Sequence, residues 1–277
     1  MSDPILIIAA LNGTRERKIA KSVPYTADEL AKEAKRAVDA GAGVVHIHAR
    51  KADGTATFDL TFDDVVAAIR KTVDVPISIT TQRFRQTSLG TVTALFDVLR
   101  DLPELATVNV TQQSPESPAH REEARQILEA CERAKVRPEP GINSLEAIAD
   151  VEALYGDGLL AQAPWMNLEL GGPAALNDEY KLAGTPRNLV RLVDAIAGGG
   201  LAAQRWVAHG EGLATAGVCA TAAALGGHIR VGLEDTALLP DGTPAQSNAE
   251  LVELAVALAD SLGREPMEPA DVRQMLR

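Results

Sequence analysis

Eight times along the 277 residues a short apolar run gives way to a helix-like stretch, and that alternation constrains the fold more than any other feature. Ile5 to Ala10 is continuously apolar, as a strand buried on both faces must be, and Asn12-Gly13 ends it. Thr26 offers an N-cap with Glu29 three residues on, completing a capping box for a helix to about Ala40. The second unit pairs Val44 to Ala49 with a helix capped by Thr61 and ending near Lys71. The third pairs Val75 to Thr80 with Leu89 to Leu99, and the fourth pairs Ala106 to Val110 with a helix from about Ala119 to Lys135. Val136 to Glu139 and Ser144 to Leu154 make the fifth; Trp165 to Leu170, a Gly171-Gly172-Pro173 loop and Pro186 to Ile196 make the sixth. Trp206 to Ala208 with Leu213 to Leu225, then His228 to Leu233 with Ser247 to Leu262, complete the set. This spacing predicts one α/β domain over residues 1–277, a (β/α)8 TIM barrel. A doubly wound sheet is disfavoured, because no G-x-G-x-x-G follows the first strand.

In a barrel of this kind the chemistry sits at the C-terminal ends of the strands, so polar residues there are the candidates. On the second strand His46 and His48 are two apart and project from the same face. One reading is a core histidine beside a loop histidine; the other, favoured for two imidazoles closing one strand, is a divalent metal site. The third strand presents Ser78 and Thr80 on one face, the fourth Thr107, Asn109 and Thr111, and Glu139 ends the fifth. On the eighth, Arg230, Gly232 and Glu234 share a face, which brings Glu234 to the top of the barrel. Two histidines and one carboxylate are the donor set of catalytic rather than structural zinc, since coordination positions stay open. Arg230 reads equally as a structural bridge or as a catalytic helper, because a buried arginine needs an anionic neighbour. Asp235 reads either as a turn aspartate leading to Pro240-Asp241-Gly242 or as a carboxylate free to accept a proton.

A formal charge of −11 argues against a protein that tracks nucleic-acid phosphates. The two cysteines, Cys131 and Cys219, lie in separate apolar helical stretches and are expected to be reduced core residues. No apolar run reaches the length of a membrane span, and no basic leader precedes the first strand, so a cytoplasmic location is expected. Trp165 and Trp206 read as core, His120 as a loop histidine, and His209, at the top of the seventh strand, as a substrate contact.

Val-His-Ile-His-Ala-Arg at 45–50 with Asp53-Gly54, Gly226 to Asp235 reading GGHIRVGLED, and Ser247 to Val252 reading SNAELV together resemble the beta-keto acid cleavage enzymes. These include the 3-keto-5-aminohexanoate cleavage enzyme, and the resemblance runs over nearly the whole chain. It implies a zinc-dependent barrel that condenses a β-keto acid with acetyl-CoA, giving acetoacetate and a new acyl-CoA. It implies that His46, His48 and Glu234 bind the Zn2+ and that Asp235, held by Arg230, is the base. Thr80 and Thr107 match positions where the family places hydroxyl groups near the substrate, and Asn12, Asn109 and Glu139 are further expected contacts. One departure is informative: Arg15 stands where the aminohexanoate enzyme has a carboxylate for its substrate's ammonium group. An arginine fork suits a second carboxylate, so the expected substrate has an anionic tail, as in 3-oxoadipate or 3-oxoglutarate. The competing enzyme class is a zinc-dependent barrel hydrolase or metal-dependent aldolase acting without CoA. A non-catalytic barrel that uses the ion as a staple is the third reading. The expected partners are small molecules and further copies of the chain.

Overall fold

The computed structural model describes residues 3–83, 87–111, 120–172, 181–202 and 204–276. Eight parallel strands close into a barrel in sequence order. The strands are β1 (Ile7–Ala10), β2 (Val44–Ile47), β3 (Ile77–Thr80), β4 (Leu105–Asn109), β5 (Arg137–Ile142), β6 (Met166–Glu169), β7 (Trp206–His209) and β8 (His228–Val231). The helices that follow them are α1 (Ala27–Asp39), α2 (Thr61–Arg70), α3 (Leu89–Val98), α4 (Arg121–Ala134), α5 (Leu145–Gly156), α6 (Pro186–Ala197), α7 (Ala214–Ala224) and α8 (Asn248–Ser261), with α9 (Pro269–Met275) at the end. The expected barrel is therefore the observed one, and among the described residues no helix is long and apolar enough to cross a membrane.

The caps explain why most helices begin where the sequence places them. Thr26 and Glu29 form the reciprocal capping box of α1, and Ser144, Thr185 and Ser247 each accept a backbone N–H from the first turn of their helices. Two boundaries differ from expectation. Thr61 is the first residue of α2 rather than its cap; Asp59 accepts the Thr61 N–H at 2.9 Å instead. The fifth strand runs on from Glu139 to Ile142. Pro138 and Pro140 have no N–H to donate towards β6, and pairing with β6 is confined to Gly141 and Ile142. The expected start of α4 at Ala119 and the Pro173 turn lie outside the described residues.

The inside of the barrel is divided by height. Leu6, Ile8, Val44, Leu105, Trp165 and Val207 fill its lower part and meet Val272 and Leu276, so α9 closes the bottom. Above them the inward positions turn polar: His46, Ser78, Glu139 and Arg230 are all buried. Outside, a continuous apolar layer joins strands to helices and contains both cysteines, which are unpaired. Gly232 stands at the seam between β8 and β1, where a Cβ would lie 2.0 Å from the Ala10 carbonyl oxygen. At the bottom of the same seam the Leu6 N–H donates to His228 Nδ1 at 3.1 Å.

Gly232→Ala forces the two strands apart and should cost about 2 kcal/mol, lowering Tm by about 4–8 °C in a thermal scan. Burial, with Arg264 and Arg205 adding to it, lowers the pKa of His228 to about 4. The unfolded chain therefore binds the extra proton first, and this contribution, intact above about pH 6.5, should be lost as pH falls towards 4. His228→Gln is expected to flatten that part of the curve of unfolding free energy against pH.

Candidate metal centre and active site

His46 and Glu234 come together at the mouth although nearly two hundred residues separate them, because β1, β2 and β8 are neighbours in the closed sheet. His46 Nε2 lies 3.5 Å from Glu234 Oε2, and His48 Nε2 lies 3.4 Å from Glu234 Oε1. One donor atom from each of the three residues falls within 4.8 Å of the others. The imidazoles are steeply inclined, with ring centroids 5.3 Å apart. Glu234 Oε2 is buried without a hydrogen-bond partner, a costly condition that a cation between the three side chains would relieve. The residues fit a divalent ion.

Their protonation states suit the same role. Burial holds the His46 imidazole well below its ordinary pKa, reinforced by Arg230 and opposed by Glu234, so its lone pair is available. Burial works against the Glu234 charge, but Arg230 with His48 and His46 overrides it and keeps the carboxyl well below the usual carboxylate range. His46 is aimed by a chain of contacts across the barrel. Its Nδ1 is 2.9 Å from Ser78 Oγ, Ser78 donates to Glu139, and Trp165 Nε1–H donates to the other Glu139 oxygen at 2.7 Å. With its hydrogen given to Glu139, Ser78 accepts from His46 Nδ1–H, which leaves Nε2 as the metal-facing nitrogen.

Three β1-loop residues hold the other two ligands. Asn12 is fully buried and clamps the backbone of His48: its Oδ1 accepts the His48 N–H at 2.9 Å and its Nδ2 donates to the His48 carbonyl at 2.9 Å. Arg15 donates from Nε to the Leu233 carbonyl at 2.5 Å and from Nη2 to the Glu234 carbonyl at 2.9 Å. Gly13, at φ +51°, is required where it stands, because a Cβ there would lie 2.3 Å from Glu234 Cγ. Asn12 and Arg15, expected as substrate contacts, thus spend most of these side-chain bonds on the backbone that carries the metal ligands.

Arg230 and Asp235 form the second half of the site. Arg230 Nη2 donates to Glu234 Oε1 at 2.6 Å and to Asp235 Oδ1 at 2.8 Å, while Nε donates to Asp235 Oδ2 at 3.0 Å. Burial opposes the guanidinium charge, yet Asp235 and Glu234 hold its pKa well above the ordinary value. Asp235 is therefore buried beside the metal set, not in an exposed turn. His209 reaches it from β7, with Nδ1 3.3 Å from Asp235 Oδ1. Thr80 and Thr107 are aligned with Glu139 on adjacent strands, and Asn109 is aligned with Gly141 one pleat higher. Thr80 Oγ1 accepts the Gln82 N–H, and Glu139, apart from the metal, is taken up by Ser78 and Trp165. Sequence reasoning passed over Asn167 and Glu169, which point inward from β6 next to His209; two polar residues at alternate positions of an apolar run were the available signal.

A closed (β/α)8 barrel with a two-histidine, one-carboxylate set that could hold a metal and a buried Arg–Asp pair at its mouth has the layout of a barrel enzyme. Residues 4–277 match the profile of the beta-keto acid cleavage enzyme family, and the chain belongs to that family. A 3-keto-5-aminohexanoate cleavage enzyme of Fusobacterium nucleatum is 32% identical, the match covering 100% of this chain and 98% of that one. A 3-oxoadipate:acetyl-CoA acetyltransferase of Cupriavidus necator is 27% identical over 100% of this chain and 95% of that one. Among solved structures, the ternary complex of ObcA with C4-CoA adduct and oxalate shares the fold at a TM-score of 0.77 and 19% identity, covering 92% of this chain and 67% of that one.

Ser78→Ala removes the acceptor that fixes the His46 ring and should weaken metal binding about 10- to 100-fold, with folding retained. Competition with a chromophoric chelator measures it, and His46→Ala is expected to abolish tight binding altogether.

Proposed function

We propose that this protein condenses a β-keto acid with acetyl-CoA, releasing acetoacetate and a new acyl-CoA, and that its resident metal is zinc, held by His46, His48 and Glu234. The observation that carries the reading is the shared Arg230 bridge, which sets the Asp235 carboxylate directly beside the candidate metal-ligand set. A bound divalent ion supplies Lewis acidity at the site, stabilising negative charge as it develops on a carbonyl oxygen.

Asp235 is the base in this scheme. Arg230 and His209 both face Oδ1, whereas Oδ2 meets only Arg230 Nε, so Oδ2 is the freer oxygen to receive a proton. It takes that proton from the carbon between the keto and carboxylate groups. The carbanion adds to the acetyl carbonyl and expels CoA thiolate. The thiolate adds to the original keto carbon, the bond between that carbon and its carboxylate-bearing neighbour breaks, and acetoacetate leaves after Asp235 returns the proton. Arg230 keeps its bidentate grip throughout, so the carboxylate cycles between two states without swinging away.

Arg15 supports a substrate with an anionic tail. Two of its nitrogens serve backbone carbonyls, and Nη1 is the group with which it would meet a carboxylate. The relative that bears 3-oxoadipate in its name is consistent with this choice.

Incubating the metal-loaded protein with acetyl-CoA and a panel of β-keto acids, and identifying products by mass spectrometry, tests the reading. The expected best substrates are 3-oxoadipate and 3-oxoglutarate, giving succinyl-CoA and malonyl-CoA with acetoacetate. Preference for amine-bearing or plain alkyl keto acids would remove the anionic-tail reading. Cleavage that proceeds without acetyl-CoA would replace the transferase with a hydrolase or aldolase. Asp235→Asn is expected to lower kcat at least about 100-fold with metal content unchanged, and metal analysis of the same preparation is expected to find zinc.

A further inference from the structure

Among the described residues four buried side-chain polar atoms have no hydrogen-bond partner, and all stand at the barrel mouth. Glu234 Oε2 is accounted for by the metal. Asn167 Oδ1 and the His209 ring are not, because neither residue belongs to the ligand set; neither His209 nitrogen makes a hydrogen bond, and only Nδ1 has a charged neighbour, Asp235 Oδ1 at 3.3 Å. Both residues are at least 97% buried. Buried polar groups without partners are rare enough that these two call for an occupant.

The two residues form one patch of wall. Asn167 and Glu169 occupy alternate positions of β6 and so share its inward face, and Glu169 is aligned with His209 on β7. The polarity of the patch can be worked out atom by atom. Asn167 Nδ2 donates to Glu169 Oε1 at 2.9 Å, which turns the amide oxygen outward as the unpaired end. His209 is neutral, since burial lowers its pKa, and the proton belongs on Nδ1, which faces the Asp235 carboxylate at 3.3 Å. That leaves Nε2 as an acceptor. The nearby cations have carboxylate partners of their own, Lys181 pairing with Glu211 at 2.9 Å and Arg230 with Glu234 and Asp235. Asn167 Oδ1, the Glu169 carboxylate and His209 Nε2 thus present acceptors only.

A keto acid's carboxylate and carbonyl would meet lone pairs at each of these three groups. The other reactant of the proposed reaction has the complementary chemistry: the pantetheine arm of acetyl-CoA carries amide N–H groups, the first only two carbons from the thioester sulfur. We propose that the β6–β7 wall seats the pantetheine arm, its amide N–H groups being received by Asn167 and His209. The contact of His209 with Asp235 then brings the acetyl carbonyl to the side on which the carbanion forms. This inference rests on the acetyl-CoA reading above.

The test compares two small co-substrates in the metal-loaded protein: the acetyl thioester of N-acetylcysteamine, which keeps the first amide N–H, and its N-methyl analogue, which lacks it. N-methylation should raise the thioester KM about tenfold, the effect of one lost buried hydrogen bond, and leave the keto acid KM unchanged. Asn167→Leu should raise the KM for acetyl-CoA about tenfold, again without moving the keto acid KM, and N-methylation should add little in this variant; His209→Leu, which also loses the contact with Asp235, should raise the acetyl-CoA KM and lower kcat together. Calorimetric titration with free CoA, which needs no turnover, should show the same weakening. The co-substrate swap uses the unaltered protein, so a variant that fails to fold does not decide the matter. Equal KM values for the two thioesters overturn the proposal. So do variants that raise the keto acid KM instead, which would give the wall to the tail of the keto acid, and variants that move neither KM, which would leave water as its occupant. A wild-type protein that makes no acyl-CoA from any keto acid would sink the acetyl-CoA reading itself, a separate result.

Discussion

Arg230 is 5% exposed and lies between two carboxylates that are adjacent in sequence, with Nη2 shared between Glu234 and Asp235. Everything at the mouth depends on this arrangement. Two neighbouring carboxylates in a water-poor site repel each other. The guanidinium between them offsets that repulsion by hydrogen-bonding both, which lets the two sit side by side at the mouth. The dependence is mutual, because a buried guanidinium left without its anions would itself be strongly destabilising, by about 3–5 kcal/mol for a broken buried pair. The residue that reads equally as bridge and helper from the sequence is a bridge in the structure, joining both carboxylates.

Around this centre each functional group is fixed by a residue from a different strand or loop. His46 is aimed from β3 and β5 through Ser78 and Glu139, His48 is held through its backbone by Asn12, and the Glu234 backbone is tied down by Arg15. The ligands are thus positioned before any ion arrives, and binding energy need not be diverted to ordering them. Gly13 shows how tight the fit is, since Glu234 lies across the place where any larger residue would put its Cβ.

The sequence made the barrel and the metal set legible for the same reason: both follow from local periodicity. Each β/α unit announces itself within about thirty residues, and strand alternation alone puts His46 with His48 and Arg230 with Glu234 on common faces. What alternation cannot reveal is where a long side chain ends. Arg15 and Asn12 sit in the right loop for substrate contacts, and the loop position alone does not show that they also bind backbone groups 12 to 219 residues away. The continuation of β5 was hidden by Pro138 and Pro140, which argue against a strand in isolation and are accommodated where pairing with β6 lapses. Asn167 and Glu169 obeyed the same rule that exposed Thr107 and Asn109, but the surrounding Trp165, Met166, Leu168 and Leu170 made the segment read as core. The short α9 had no pattern of its own and exists because the lower barrel gives Val272 and Leu276 something to cover.

That terminal helix has a consequence for traffic. Among the described residues the lower end is stoppered by Val272 and Leu276, so in the proposed reaction both reactants would come in from the upper end, where His46 lies. A small keto acid gripped at the depth of His46 would be trapped beneath a long thioester laid over the rim. On the proposed reaction this arrangement would set a queue, with the short molecule entering first and leaving only once the long one lifts away.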